Sequence, residues 1–209
     1  MNILIGDDHS VVRRGLRTIL SDAFPSAEIE EASDGVELLK KALQQDWSII
    51  ISDISMPGKS GIEVVKELRE IKPKQQVLIL SVHAPEQYAV RTLKAGAAGY
   101  LTKESATEEL VKAVQHIMGG RKYITPEVAE MLVNIHSDET GIKQPHETLS
   151  DREFEVLKLI ASGKTVSEIA EILSLSIHTI STYRSRILEK MRMKNNAELT
   201  KYAITNSLA

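Results

Sequence analysis

Residues 49–58 read IIISDISMPG: three consecutive isoleucines, then Ser52, Asp53 and a loop closed by Met56, Pro57 and Gly58. A short, near-continuous β-branched run is what a strand buried on both faces of a parallel sheet requires, and the Pro-Gly pair ends it in a turn. The same build recurs in ILIGDDH (3–9), VLILSVH (77–83) and GYLTKES (99–105). Each apolar run ends on polar residues at a loop or helix start, and these are Asp7, Asp8, Asp53, Ser81 and Lys103. Outward from these runs, strands are predicted at 2–6, 27–31, 48–52, 76–81 and 98–101. Helical patterns lie between them at 10–22, 35–45, 60–70, 85–95 and 105–118. Regular strand–helix alternation argues for a parallel α/β sheet covered by helices on both faces. In such open sheets ligands bind in the crevice at the carboxyl ends of the strands.

Three carboxylates, a hydroxyl and an ammonium delivered to one sheet edge suit Mg2+ and a phosphoryl group. Mg2+ prefers octahedral oxygen ligands, retains waters and takes one or two carboxylates beside phosphate oxygens. Asp8 and Asp53 supply such carboxylates, Asp7 can hold a bound water, and the backbone carbonyl of Ser55 is a further ligand. An Asp carboxylate also serves as a nucleophile, and Lys103 with the Ser81 hydroxyl would hold the phosphoryl oxygens. Taken singly, each residue has a plainer use. Asp7 and Asp8 could cap the helix at 10–22, Asp53 a loop, and Lys103 could be a surface lysine. Their joint placement at four strand ends favours the phosphoacceptor site.

The 209 residues allow one large domain or two small ones, and with no cysteine the chain has no disulfide, thiolate metal site or cysteine nucleophile. The start, MNILIGDDHS, shows no basic and apolar leader, and no run reaches the length of a membrane helix, so a cytoplasmic location without membrane contact is expected. Residues 1–118 form the first predicted domain, ended by Gly119-Gly120. Residues 119–147 read as a linker. Within it Thr125-Pro126-Glu127 opens a short helix over 125–135, and the polar stretch HSDETGIKQPHE is the expected hinge.

From Leu149 the pattern is wholly helical, giving an all-α domain over 148–209. Ser150 and Glu153 form a capping box opening a helix over 150–162, which Gly163 ends. Further helices are predicted at 165–173, 176–191 and 195–206, with SLS as the turn of a helix-turn-helix. Ala197, Leu199, Ala203 and Ile204 are the expected inner face of the last. The third helix places Ile180, Tyr183, Ile187, Leu188 and Met191 on one side. The opposite arc holds His178, Ser181, Thr182, Ser185, Arg186 and Glu189, and would face a DNA major groove together with Thr179. Residues 147–209 carry nine Lys/Arg against eight Asp/Glu, and the remainder 17 against 21. The useful signal is therefore clustering: Arg186, Lys190, Arg192 and Lys194 suit phosphate contacts. Arg184 turns to the packed side and is expected to reach a phosphate or an acidic neighbour.

Residues 1–118 resemble a response-regulator receiver domain. The match rests on Asp7-Asp8, Asp53 followed by Met56-Pro57-Gly58 and Gly61, Ser81, and GYLTK ending at Lys103. Residues 147–209 resemble the LuxR-type helix-turn-helix through LSDREFEVLKLIASG, TVSEIAEIL and SLSIHTISTYRSRILEKM. The whole chain is thus similar to NarL/FixJ-type two-component response regulators. The resemblance implies a flavodoxin-like five-stranded parallel sheet of order 2-1-3-4-5. It implies phosphorylation of Asp53 by a sensor histidine kinase, and switch roles for Ser81 and Tyr100. Double-stranded DNA and a second copy of the chain are the implied partners, with RNA polymerase a further one the resemblance allows. Leu199, Thr200, Tyr202 and Ala203 are candidates for the dimer contact. No turnover of an external substrate is expected, since such a receiver assists only its own phosphotransfer and dephosphorylation. An Asp-nucleophile phosphatase would need a second Asp where Ser55 stands. Glu104 follows Lys103 in place of the proline common in the family, so a trans bond is expected there.

Overall fold

The computed structural model describes residues 1–83, 85–137, 144–206 and 208. The chain divides into two units, Met1–Ser137 and the residues beyond it. Half of the expected hinge, residues 138–143, lies outside the described residues.

The first unit is built on five parallel strands, β1 (Asn2–Gly6), β2 (Glu28–Ala32), β3 (Ile49–Asp53), β4 (Val77–Ser81) and β5 (Gly99–Thr102), in the order β2-β1-β3-β4-β5. Helices α1 (Ser10–Ala23), α2 (Gly35–Gln44), α3 (Gly61–Ile71), α4 (Pro85–Ala95) and α5 (Ala106–Met118) alternate with them. Strands β3 and β4 are buried throughout, as their unbroken apolar runs require. Ile3, Ile5, Ile49, Ile51, Leu78 and Leu80 pack with Leu16 and Leu20 of α1 and with Leu110, Val114 and Ile117 of α5. The alternate residues Leu4, Ile50 and Ile79 are buried as well, so both faces of the sheet are covered. Edge strand β2 instead carries Glu28 and Glu30 toward solvent, and such charges discourage further strand pairing.

The register aligns the strand ends. Gly6 lies beside Ser52, Asp53 beside Leu80, and Ser81 beside Thr102. The chain winds outward in opposite directions from the β1–β3 pair, and Asp7 and Asp53 emerge on either side of that switch point.

Residues 119–137, read as the start of the linker, are integrated with this unit. Tyr123 bridges to Gly99, its amide donates to the Ala98 carbonyl at 2.8 Å, and its side chain is buried in the core. Helix α6 (Pro126–Ser137) follows the Thr125 start signal, runs two residues past the expected end, and packs against α4 with Val128 buried.

In the second unit a 3-10 turn, Pro145–Thr148, leads into α7 (Asp151–Ala161), α8 (Val166–Ile172), α9 (Ile177–Met191) and α10 (Asn196–Thr205). Ser150–Glu153 and Thr165–Glu168 form capping boxes, and Ser176 and Asn195 cap α9 and α10. Helix α7 packs on α9 and α10, and α8 on α9. The α10 face differs from expectation. Leu199 and Ala203 are fully buried, whereas Ala197 and Ile204 are exposed. At about 100° per residue Ala197 falls opposite Leu199, and Ile204 about a quarter turn beyond Ala203. Leu199 and Ala203, two of the residues expected at a dimer contact, are thus buried within the described structure. Every peptide bond among the described residues is trans, Lys103–Glu104 included.

Candidate functional site

The carboxyl edge of the sheet brings Asp7, Asp53 and Lys103 into direct contact. The Lys103 ammonium lies 2.6 Å from Asp7 Oδ2 and 2.7 Å from Asp53 Oδ2. Both carboxylates are nearly fully buried. The Ile54 amide donates to Asp53 Oδ1 at 2.7 Å, and the His9 amide donates to Asp7 Oδ1 at 2.8 Å. Asp7 does not cap α1: the capping position is His9, which makes no side-chain cap. Asp7 Oδ2, beyond its ion pair with Lys103, makes no oriented hydrogen bond.

Burial drives the Asp53 carboxyl up to about 6, the neighbouring Lys103 charge works against that rise, and the Asp7 charge adds to it. Burial works to lower the Lys103 ammonium, but Asp53 and Asp7 outweigh it and leave it above its ordinary value. The edge is thus a buried, negatively biased pocket with one resident cation.

Asp8 and His9 complete its rim. Ligand atoms of Asp7, Asp8, His9 and Asp53 all lie within 4.8 Å of one another, and His9 Nδ1 is 2.7 Å from Asp8 Oδ1. The three carboxylates are hard oxygen donors of the kind Mg2+ takes. Ser55 is half-buried in the loop two residues past Asp53. Arg13 stiffens the site from α1, with Nη1 donating to the Asp7 carbonyl at 2.7 Å and Nε paired with Glu31 at 3.1 Å.

Ser81 is buried at the end of β4, and its hydroxyl accepts from the His83 amide at 3.0 Å. Tyr100, buried in β5, donates its hydroxyl to the His83 carbonyl at 2.7 Å. The His83 ring stacks on Tyr88 of α4 with centroids 4.8 Å apart. His9 and His83 escaped the sequence reading for different reasons. His9 stands in plain view beside the acidic pair, but a lone histidine carries no spacing signal. His83 acts through its backbone, which residue identity does not report.

In the second unit α9 buries Ile180, Ile187 and Met191 and leaves Tyr183 and Leu188 half-covered. His178, Ser181, Ser185 and Arg186 are exposed on the other side, while Thr179 and Thr182 are half-buried. Two hydroxyls of this arc bond back along the helix: Thr182 to the His178 carbonyl and Ser185 to the Ser181 carbonyl, both at 3.0 Å. Thr179 Oγ1 lies 2.8 Å from Ser176 Oγ. Arg184 finds an amide rather than an acid, with Nε donating to Asn196 Oδ1 at 2.6 Å.

Arg192 and Lys194 are exposed, Arg192 closing the helix in a left-handed conformation at φ 55°. Lys190 is committed elsewhere, its Nζ lying 2.6 Å from the buried carboxylate of Glu153. Ile177, the first residue of α9, is 56% exposed. It adjoins the polar arc expected to meet DNA without belonging to it, since its side chain is apolar. Tyr202 is half-buried with its hydroxyl 2.8 Å from His146 Nδ1, and Thr200 is half-buried. No helix among the described residues is long and apolar enough to cross a membrane.

Family comparisons match this geometry. Residues 3–115 fit the response regulator receiver domain, and residues 147–203 fit the bacterial regulatory proteins of the luxR family. The oxygen regulatory protein NreC of Staphylococcus carnosus is 37% identical, with 100% of this chain and 99% of that protein covered. The response regulator UvrY of Escherichia coli K12 is 33% identical over 100% of this chain and 95% of its own length. Among solved structures, RcsB of Salmonella enterica serovar Typhimurium, bound to promoter rprA in the presence of phosphomimetic BeF3-, superposes with a TM-score of 0.62. It is 29% identical, with 97% of this chain and 98% of that chain covered. With a receiver fold in one unit, a luxR-family helix-turn-helix in the other and relatives matched end to end, the chain belongs to the NarL/FixJ-type two-component response regulators.

Proposed function

We propose that the chain is a cytoplasmic transcription regulator switched by phosphorylation of Asp53 by a sensor histidine kinase. The observation that carries this reading is the bifurcated contact of Lys103 with Asp7 and Asp53 at the switch point of the sheet. Asp7, Asp8, Asp53 and the Ser55 carbonyl would hold Mg2+, which when bound offsets the negative charge gathering on the phosphoryl oxygens.

The chemistry of the residues follows from their placement. The ionised Asp53 carboxylate attacks the phosphorus of a phosphohistidine. The P–N bond breaks, its electron pair stays on the leaving imidazole nitrogen, and that nitrogen takes a proton from solvent. Lys103 then exchanges part of its ion pair with Asp53 for a phosphoryl oxygen, and the Ser81 hydroxyl donates to another. Phosphorylation adds about −1.5 to −2 charge at neutral pH, enough to move a nearby hydroxyl and ammonium. Through His83 the displacement reaches Tyr100 and α4 and favours pairing of two copies. Each copy then presents α9 to one half-site of duplex DNA, with His178, Thr179, Ser181, Thr182, Ser185 and Arg186 toward the groove and Arg192 and Lys194 on phosphates.

The test is phosphotransfer from a small phosphoramidate with Mg2+, read by intact mass. Wild type gains one phosphoryl group and Asp53→Ala gains none. Beryllofluoride should then raise both dimer content and affinity for an operator duplex, and leaving both unchanged would refute the switch.

A further inference from the structure

We infer that α9 reads the major-groove edge of A·T pairs, with Ile177 packed against thymine methyl groups. The inference deepens the DNA-reading role described above and rests on it.

The first argument concerns what the reading end of the helix lacks. In helix-turn-helix proteins the N-terminal residues of the second helix meet the base edges. Residues 173–183 contain no Lys or Arg, so the commonest specific contact, a basic side chain on guanine O6 and N7, is not offered there. Arg184, the first Lys or Arg of the helix, is held by Asn196 at 2.6 Å, and the exposed Arg186 on the groove arc stands nine residues past the first helical position, Ile177, away from the reading end.

The second concerns what is offered instead. Thr182 and Ser185 spend their hydroxyl protons on the carbonyls of His178 and Ser181. Toward the groove each oxygen then acts as an acceptor. Acceptors match amino groups, which adenine presents at N6 and cytosine at N4.

The third separates these two bases. Ile177 is a β-branched side chain left 56% exposed at the first position of the helix, while Ile180, Ile187 and Met191 already make its core contact. More than half of it is left to solvent, and the apolar group on a major-groove edge is the thymine C5 methyl. An A·T pair presents the amino donor and the methyl together, whereas a C·G pair presents only the donor.

The experiment selects duplexes from a random pool with the full chain activated by Mg2+ and beryllofluoride. Selected thymines are then replaced one at a time by uracil, which removes the methyl and leaves pairing intact. A·T pairs should dominate the contacted positions, and loss of the methyl at one or two of them should weaken wild type about three- to ten-fold. Ile177→Ala, a surface substitution, should become indifferent to uracil at the same position while keeping the rest of the selected sequence. Enrichment of guanine at the contacted positions would overturn the inference, and so would uracil without effect or an equal uracil effect in Ile177→Ala. All three would leave DNA binding itself standing. Failure to enrich any duplex would overturn the inference and the DNA-reading role together.

Discussion

Ser81 and Tyr100 hold opposite ends of one residue: the Ser81 hydroxyl accepts from the His83 amide at 3.0 Å, and the Tyr100 hydroxyl donates to the His83 carbonyl at 2.7 Å. A change at the end of β4 therefore reaches β5 through a single residue, and the His83–Tyr88 stack extends it to α4. If Ser81 turns to a phosphoryl group on Asp53, the His83 amide loses its acceptor. Beryllofluoride should move the His83 amide resonance and lower its protection from hydrogen exchange. In Tyr100→Phe the carbonyl end is released as well, at a cost of about 1 kcal/mol for a lost buried hydrogen bond. A His83 amide indifferent to beryllofluoride would show that Ser81 stays where it is.

The raised Asp53 value makes a signed statement about pH. A carboxyl with an ordinary value of 3.8 and a folded value of about 6 binds its proton more tightly in the folded state. Its favourable contribution is full below about pH 4 and is lost as pH rises through 6. At pH 7.5 without metal, Asp53→Asn should therefore be more stable than wild type by roughly 1–3 kcal/mol. The difference should shrink on acidification from pH 7 toward 4, as thermal melts at a series of pH values would show. The same proton competes with phosphorylation, since only the ionised carboxylate is a nucleophile. Labelling by a small phosphodonor should fall about tenfold per pH unit well below 6.

Gly61 makes room for the acceptor strand. A Cβ built there would lie 2.1 Å from the Asp53 carbonyl oxygen and 2.9 Å from Ser52 Oγ. The obstacle is backbone, which cannot swing aside. Gly61→Ala should displace the loop after β3, lower stability by about 1–3 kcal/mol as overpacking does, and slow phosphorylation of Asp53. A Gly61→Ala variant with wild-type melting and labelling would contradict this packing.

Much of this arrangement was legible in the sequence, for a definable reason. Asp7, Asp53, Ser81 and Lys103 each end or follow an apolar run, and parallel register aligns such ends without further information. The helix starts at Ser150, Thr165 and Ser176 were legible because a capping residue is a local device. What escaped was contact across the chain. Glu153 belongs to a capping box, and nothing local announces that it also holds Lys190, 37 residues on. Tyr123 reads as linker because a single bridge at a sheet edge leaves no periodic signature. The inner face of α10 was misjudged where apolar residues outnumber the positions that α7 can cover.

That long-range pair separates two kinds of basic residue at the end of α9. The Glu153 carboxyl would rise on burial, but Lys190 and the Ser150 amide and hydroxyl outweigh that and hold it below its ordinary 4.5. Its stabilising contribution is therefore present above about pH 4.5 and lost as pH falls through the lower folded value. Lys190→Ala removes the cation and leaves a buried carboxylate with only its capping partners. Because Lys190 is itself partly exposed, the expected cost to the second unit is about 1–2 kcal/mol, below the full figure for a buried pair. The deficit should narrow below pH 4.5. Arg192 and Lys194 have exposed side chains, and no acid among the described residues pairs with them. Arg192→Ala and Lys194→Ala should each leave the melting temperature within a degree or two, weaken operator binding, and lower the salt slope of that binding by about one. Lys190→Ala should do the reverse, melting early with its salt slope nearly unchanged. A Lys190→Ala variant that melts normally and loses a full unit of salt slope would place Lys190 on the DNA backbone and leave Glu153 without the role given it here.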